Sequence, residues 1–292
     1  MTAALEAPTV PHAIAAKRPS LIRTLFSHRL GVIGFAVLVP IVLVAVFADL
    51  VAPYPPNAAN FRAILQPPSA AHWFGTDDVG RDVLSRIIYG ARVTLAVVAA
   101  AIAAGAVVGV VIGLIAGYFG GWLDNLLMRV NDSLLAFPEL ILALTLVAVL
   151  GPSAQNTSLA IAILNVPHFA RVTRAEALSL RNRTFVDAAR LFGVGHLRIM
   201  LRHLVPHLAG TIVVFAALRS SMAVITESGL SFLGLGVQPP TASWGNIVSL
   251  GLTYIYTAWW LVLIPSVAIF LLVISINLVG DAIRDANDVK SH

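Results

Sequence analysis

A succession of long apolar runs dominates this chain, and few folds can accommodate them. The longest covers roughly Ala91 to Tyr118. Others cover Gly31 to Ala52, the stretch after Trp122 as far as Leu150, Leu208 to Phe232, and Ala258 to Val279. A helix crossing the hydrocarbon core of a bilayer needs ~20 consecutive apolar residues. In hydrocarbon, every backbone N–H and C=O must find its partner within the protein, and a helix does this locally. The chain is 58% hydrophobic and only 11% charged, against roughly 25% charged residues in ordinary soluble domains. Such a chain takes lipid as its solvent. The expected fold class is all-α, a polytopic membrane protein.

The first run is too long for the apolar part of a signal peptide and lacks a small-residue cleavage site, so it reads as an uncleaved span. Asp49 lies at its far end, within reach of water. Pro53 to about Arg86 is polar and proline-bearing and cannot cross. Gly151 and Pro152 break the run that ends at Leu150.

The stretch Leu159–Ala170 is apolar but short, and Pro167 interrupts it, so charge has to arbitrate. Arg171, Arg174, Arg181, Arg183, Arg190, Arg198 and Arg202 follow it. Basic residues concentrate on the cytoplasmic side. With the basic N-terminal tail inside, this arginine-rich stretch is inside only if four spans precede it. The count becomes six, with both termini cytoplasmic.

The resulting plan is a cytoplasmic tail over 1–29, a first transmembrane helix over 30–52 and a periplasmic segment over 53–88. A five-helix core follows over 89–281, with a cytoplasmic loop at 174–206, and a cytoplasmic tail covers 282–292. Trp122, Trp259 and Trp260 fall near the expected membrane interfaces, where amphipathic indole is favoured.

The formal net charge of +5 does not point to nucleic acid, because positive-inside topology and anionic lipid already account for the arginines. Cysteine is absent, which removes disulfides and thiolate metal sites. Lysine occurs only at Lys17 and Lys290, neither in a glycine-rich loop, so the chain has no P-loop for ATP. Asp77, Asp78 and Asp82 lack the spacing of a calcium loop. Thr76 or Asp77 is expected instead to cap a helix starting near Val79. His203 and His207 are four apart, but Pro206 between them argues against a metal pair.

Gly105, Gly109, Gly113 and Gly117 recur every four residues. They share one helical face and allow a second helix to approach closely, either within the protein or from a partner subunit. Ionisable groups inside spans are costly and invite a functional reading. Asp132, Glu139, Arg219 and Glu227 are the candidates here. Arg219 and Glu227 are eight apart, on roughly one side of the fifth span. Together with Asp132 they are candidates for a substrate pathway, where zwitterionic termini want charged partners. An internal salt bridge is the alternative.

The stretch Thr184 to Pro206 carries two apolar stripes. Phe185, Ala188, Ala189 and Phe192 follow helical spacing. Gly193 and Gly195 then interrupt, and Leu197, Met200, Leu201, Leu204 and Val205 form a second stripe ended by Pro206. Two short amphipathic helices in the cytoplasm need a cover, either the lipid surface or the groove of a soluble partner.

Asp187-Ala188-Ala189, then Gly193, then Pro206 resembles the EAA loop of ABC importer permeases. Asp stands where that pattern often has Glu, and Val205 where Leu is usual. The segment Phe74-Gly75-Thr76-Asp77-Asp78-Val79-Gly80-Arg81-Asp82 resembles the dipeptide/oligopeptide/nickel group of these permeases. So do Ala116-Gly117-Tyr118-Phe119-Gly120-Gly121-Trp122, Gly229 to Pro240 with Ser243-Trp244-Gly245-Asn246, and Asn277-Leu278-Val279-Gly280-Asp281.

The likeness covers nearly the whole chain from about Leu21 and is closest to the C-type subunit. It implies a type I importer fold and a non-catalytic role. The implied partners are a B-type permease subunit, two ATP-binding subunits that carry ATP and Mg, and a periplasmic or lipid-anchored binding protein. No cofactor is expected on this chain. Asp187, Ala188, Ala189, Phe192, Gly193 and Val194 become the expected ATPase-coupling residues. The group's cargo includes dipeptides, oligopeptides, nickel complexes and haem-like compounds, and peptides are preferred by analogy. From other classes, an ion-coupled secondary transporter would show internal repeats around a midplane site. An intramembrane enzyme would show a nucleophile–base or metal constellation. Neither is evident in the sequence.

Overall fold

The computed structural model describes residues 29–288. The expected N-terminal tail before Arg29 and the last residues of the C-terminal tail lie outside them. Among the described residues the chain is helical, with no strand beyond a single bridge between Thr76 and Asp82.

Helix α1 (Arg29–Val46) is followed by the short α2 (Ala48–Val51) and an irregular segment that leads to α3 (Val83–Phe119). Next come α4 (Gly121–Leu135), α5 (Glu139–Leu150) and α6 (Ala154–Leu180). The arginine-rich stretch holds α7 (Thr184–Leu191) and α8 (His196–Ile199). A π turn (Met200–Leu204) joins α8 to α9 (Val205–Phe232). The chain closes with α10 (Trp244–Thr253) and α11 (Trp260–Asp288).

Four of these segments are long and apolar enough to cross a membrane: α1, α3, the unit from α8 through α9, and α11. The run expected as one span up to Leu150 is instead two helices, α4 and α5, bent by 89°. The break falls at Pro138, which lacks an N–H and disfavours helical geometry at Phe137. α5 has 12 residues, about 18 Å of helix, too short to cross alone.

The weakly apolar fourth stretch belongs to a continuous helix of 27 residues, α6, that runs on through Pro167. α6 and α3 form the most extensive helix pair in the molecule. The glycine row of α3 lies in that seam. A Cβ on Gly109 would stand 2.6 Å from Phe169 Cβ, and one on Gly117 would stand 2.7 Å from Ala177 Cβ. Gly105 meets Ala162 and Asn165, and Gly113 meets Ala170 and Thr173. The seam therefore closes within this chain, on α6.

Two further expectations change, at the start of α3 and at Pro206. α3 starts at Val83, not near Val79, and its cap is Asp82, which accepts from the Ser85 N–H at 2.8 Å. The glycine- and proline-rich stretch after Phe232 contains a helix of its own, α10, opened by a reciprocal Ser243/Asn246 capping box. Pro206 does not end a helix. The ladder passes through it, and the preceding π turn widens the helix just where the proline can donate no hydrogen bond.

The 53–82 segment folds over the N-terminal end of α3. Asp77 accepts from the Val79 and Arg81 N–H groups at 3.1 and 2.9 Å and pairs with the Arg81 side chain at 2.6 Å. Arg86 donates to the Pro56 and Pro240 carbonyls at 3.2 and 3.4 Å, tying two loops to α3. Trp260 is buried and donates to the Thr76 carbonyl at 3.1 Å, so its indole serves as a tertiary anchor. Trp122 and Trp259 are exposed. At the other edge of this end, Arg92 reaches back to α1. It donates to the Ala45 and Val46 carbonyls at 2.8 and 3.0 Å, where the last turn of α1 leaves acceptors unpaired.

The seam gives a direct test. Gly109→Leu should separate α3 from α6 and cost about 3 kcal/mol or more, since overpacking at a rigid backbone contact has no cheap relief. Gly229→Ala, at a helical position with open space beside it, should be neutral or mildly stabilising. Thermal unfolding of the two variants in detergent checks the contrast.

Candidate functional site

The arginine-rich stretch forms a two-faced platform at one end of the helix bundle. α7 ends in a Schellman motif. The Val194 N–H donates to the Ala189 carbonyl at 3.0 Å, and the Gly193 N–H donates to the Arg190 carbonyl at 2.9 Å. That closure puts Gly193 at φ +71° with nothing near its Cα, a conformation that favours glycine. The turn then sends the chain into α8.

The inner face packs Val186, Ala189, Ile199, Met200 and Leu204 on Leu114, Tyr118 and Ala177 of α3 and α6. Polar ties hold the same face. The Tyr118 hydroxyl is 2.8 Å from His196 Nδ1, the Arg190 guanidinium lies 5.4 Å over the Tyr118 ring, and Arg181 donates to the Gly117 carbonyl at 3.2 Å. His207 stacks on Phe185 at 5.1 Å.

The outer face is apolar and bare. Leu191 is 89% exposed and Phe192 88%, while Leu197 and Leu201 are 65% and 58% exposed. Of the residues expected on a docking surface, Asp187, Ala188, Phe192 and Gly193 point outward. Asp187 is held by Arg190 at 3.3 Å. Ala189 is buried and Val194 packs partly against the same inner cluster. These two support the platform from beneath and do not form its face.

The sequence reading merged the two faces into single stripes. Leu191 escaped it, and exposed Leu197 and Leu201 were grouped with Met200 and Leu204, which are buried. Leu197 and Leu201 are four apart, as are Met200 and Leu204, and that spacing was the available signal for two separate faces.

A second polar constellation lies within the bundle. Arg219, midway along α9, donates to Glu139 Oε1 at 2.7 Å and to Asn165 Oδ1 at 2.8 Å. Asn165 itself donates to the Ile161 carbonyl at 2.8 Å, which fixes its orientation. His168 Nε2 is 4.0 Å from Glu139 Oε2. Glu139 and His168 line a cavity of about 210 Å³ at the elbow between α4 and α5, with Leu134, Phe137, Leu164 and Pro167.

The other expected pathway residues lie elsewhere. Glu227 is fully buried and accepts from Thr94 at 3.0 Å and Ser231 at 2.9 Å, so it does not join Arg219. Asp132 pairs with Arg171 at 2.6 Å, with both side chains more than half exposed. Asp124 and Arg174 form a further pair at 2.7 Å on the same two helices.

Known proteins resemble this chain closely. Residues 109–290 match the family described as binding-protein-dependent transport system inner membrane component. Residues 20–68 match the N-terminal transmembrane domain of oligopeptide transport permease C. The dipeptide transport system permease protein DppC of Escherichia coli strain K12 is 48% identical over 267 residues, 89% of this chain and 89% of that protein. The protein of the same name from Alkalihalophilus pseudofirmus is 42% identical over 268 residues, 92% of this chain and 88% of that one. The di/tripeptide transport system permease protein DppC of Pseudomonas aeruginosa is 42% identical over 272 residues, 91% of this chain and 90% of that one. With a membrane-type helical fold and these matches along its length, the chain belongs to the inner membrane permease family of binding-protein-dependent ABC transport systems.

Proposed function

We propose that this chain is the C-type permease of an ATP-driven dipeptide importer and crosses the inner membrane six times. The crossings are α1, α3, the bent α4–α5 pair, α6, α9 and α11. An even number returns both termini to one side, and the arginines of 171–202 put that side in the cytoplasm. The dipeptide cargo is read from the relatives, whose names specify dipeptide or di/tripeptide transport. Nickel complexes and haem-like compounds are the alternative cargo.

The observation that carries the mechanism is the bare apolar face of Leu191, Phe192, Leu197 and Leu201 on a firmly supported platform. Exposed leucine and phenylalanine at the end that faces water require a protein cover. An ATP-binding subunit fits that role, with Phe192 as the anchor and the loop 174–206 as the coupling element. Two such subunits hold ATP and Mg, and this chain binds neither. A B-type permease completes the pathway, and a periplasmic or lipid-anchored binding protein delivers the peptide. Closure of the ATPases moves the platform, and the platform moves α6 and α9, to which it is joined. The permease thereby changes between two states biased by ligand bound elsewhere.

Two outcomes test this reading. Phe192→Glu should keep the permease folded but lower ATP-coupled uptake at least tenfold, in line with the ~2 kcal/mol lost when an interface anchor is removed. Ala189→Asp should act differently, by burying a carboxylate in the platform's support and lowering the thermal midpoint. Co-purification of the ATPase with each variant, alongside its unfolding curve, separates the two. Normal ATPase recovery with Phe192→Glu would place the docking face elsewhere.

The whole complex, reconstituted in proteoliposomes with its binding protein, should hydrolyse ATP faster when a dipeptide is added. Uptake should survive ionophores that collapse ion gradients. Uptake that stops with the gradient and ignores ATP would replace the importer reading with secondary transport.

A further inference from the structure

We infer that Glu139 and Arg219 form the recognition point for the two ends of a zwitterionic peptide, the carboxylate of Glu139 taking the ammonium and the guanidinium of Arg219 taking the carboxylate. The inference rests on the dipeptide-importer reading and specifies how the pathway handles that cargo.

The pair is set where a structural salt bridge has little reason to be. Arg219 lies midway along α9, and His168 lies near the middle of α6. Charged groups at such depth are costly in lipid and occur facing a protein interior or a watery cavity. Here Glu139 is partly exposed and lines the cavity at the α4–α5 elbow, with His168 beside it. The face is therefore part of an aqueous or protein-lined space and is not a lipid contact.

The two partners are held differently. Arg219 is nearly buried, and the Asn165 side chain fixes its guanidinium through Nε at 2.8 Å. That leaves the outer edge of the fork, now occupied by Glu139 at 2.7 Å, as the edge a carboxylate would take. Glu139 is the first residue of α5, directly after the Pro138 break. Among the described residues no second side chain hydrogen-bonds its carboxylate, and His168 stands at the long distance of 4.0 Å. One fixed cation and one mobile anion make a pair that can open.

A dipeptide extends up to about 7 Å between its charged ends, a gap that a displaced Glu139 side chain can provide. The closed pair and the zwitterion are each electrically neutral, so exchanging one partner for the other leaves no unpaired charge in the bundle. A wholly anionic or cationic cargo would leave one of the two uncompensated.

The test measures transport in the reconstituted complex with a saturating binding protein and three cargoes: a zwitterionic dipeptide, its N-acetyl form and its C-amide form. For each cargo the variant rate is divided by the rate of the unsubstituted complex, which cancels the binding protein's own preference. Glu139→Gln should lower the zwitterion and the C-amide about tenfold, as expected for loss of a charge-assisted hydrogen bond, and leave the N-acetyl ratio at one or above, since it removes the carboxylate that this cargo leaves uncompensated. Arg219→Gln should lower the zwitterion and the N-acetyl form and spare the C-amide.

Equal loss for all three cargoes at unchanged complex recovery would make the pair structural and overturn the inference, as would unchanged ratios. Should Arg219→Gln fail to assemble, the Glu139→Gln pattern decides alone, because glutamine retains a hydrogen bond to Arg219. Failure of the importer reading shows separately, as absent ATP-dependent uptake in the unsubstituted complex.

Discussion

The close approach of α3 and α6 is the contact on which the rest of the molecule depends. Four glycines on one face bring backbone against backbone, and the neighbouring side chains Phe169, Ala170, Thr173 and Ala177 fill the groove so formed. In lipid, apolar surface gains little by being removed from its surroundings, so packing contacts of this kind supply much of the association between helices. The seam also sets the position of everything attached to its ends. At one end, α3 begins inside the folded 53–82 segment, held by Asp82, Arg86 and Trp260. At the other end, Tyr118 and Ala177 become the floor of the arginine-rich platform. α6, only weakly apolar itself, is kept in place largely by α3.

The platform has two faces with opposite demands. Val186, Ala189, Ile199 and Leu204 are buried and make the loop rigid. Leu191 and Phe192 are bare. For the coupling role proposed above, a rigid support beneath an exposed anchor matters, because a loop that yields would absorb the movement of its partner. The Schellman closure at Gly193 serves the same end by satisfying the last carbonyls of α7 within the loop. Continuity from α8 through the π turn into α9 carries the platform's position to Arg219, several turns away.

The charges inside the bundle divide by their surroundings. Glu227 is fully buried among hydroxyl donors, and its bond from Thr94 ties α9 to α3. Glu139 and Arg219 meet across α5 and α9 beside open space. Asp132–Arg171, exposed, and Asp124–Arg174, with Asp124 buried, connect α4 to α6. The bend at Pro138 is what brings Glu139 inward. A straight helix through this region would have carried it to a different face.

By itself the sequence determined the class of protein and its family. Apolar runs of bilayer length, a low content of charge and the motifs from Phe74 to Asp281 did so, because they are local in the chain. The glycine row was legible for the same reason, since a four-residue spacing defines a helical face before any partner is known. The arginine-rich loop was legible as a platform but not as a two-sided one. Which of Ala188, Ala189, Leu191 and Phe192 turn outward depends on where α3 and α6 lie beneath α7, and that is not encoded in the loop. Likewise, the eight-residue spacing of Arg219 and Glu227 suggested a common face, yet only the tertiary structure decided their partners. Glu139 lies 80 residues from Arg219 along the chain and meets it through a proline bend. Local spacing specifies a helix and its faces. The neighbour that each face meets is decided by how distant helices pack, and pairings of long sequence separation carry no local signature.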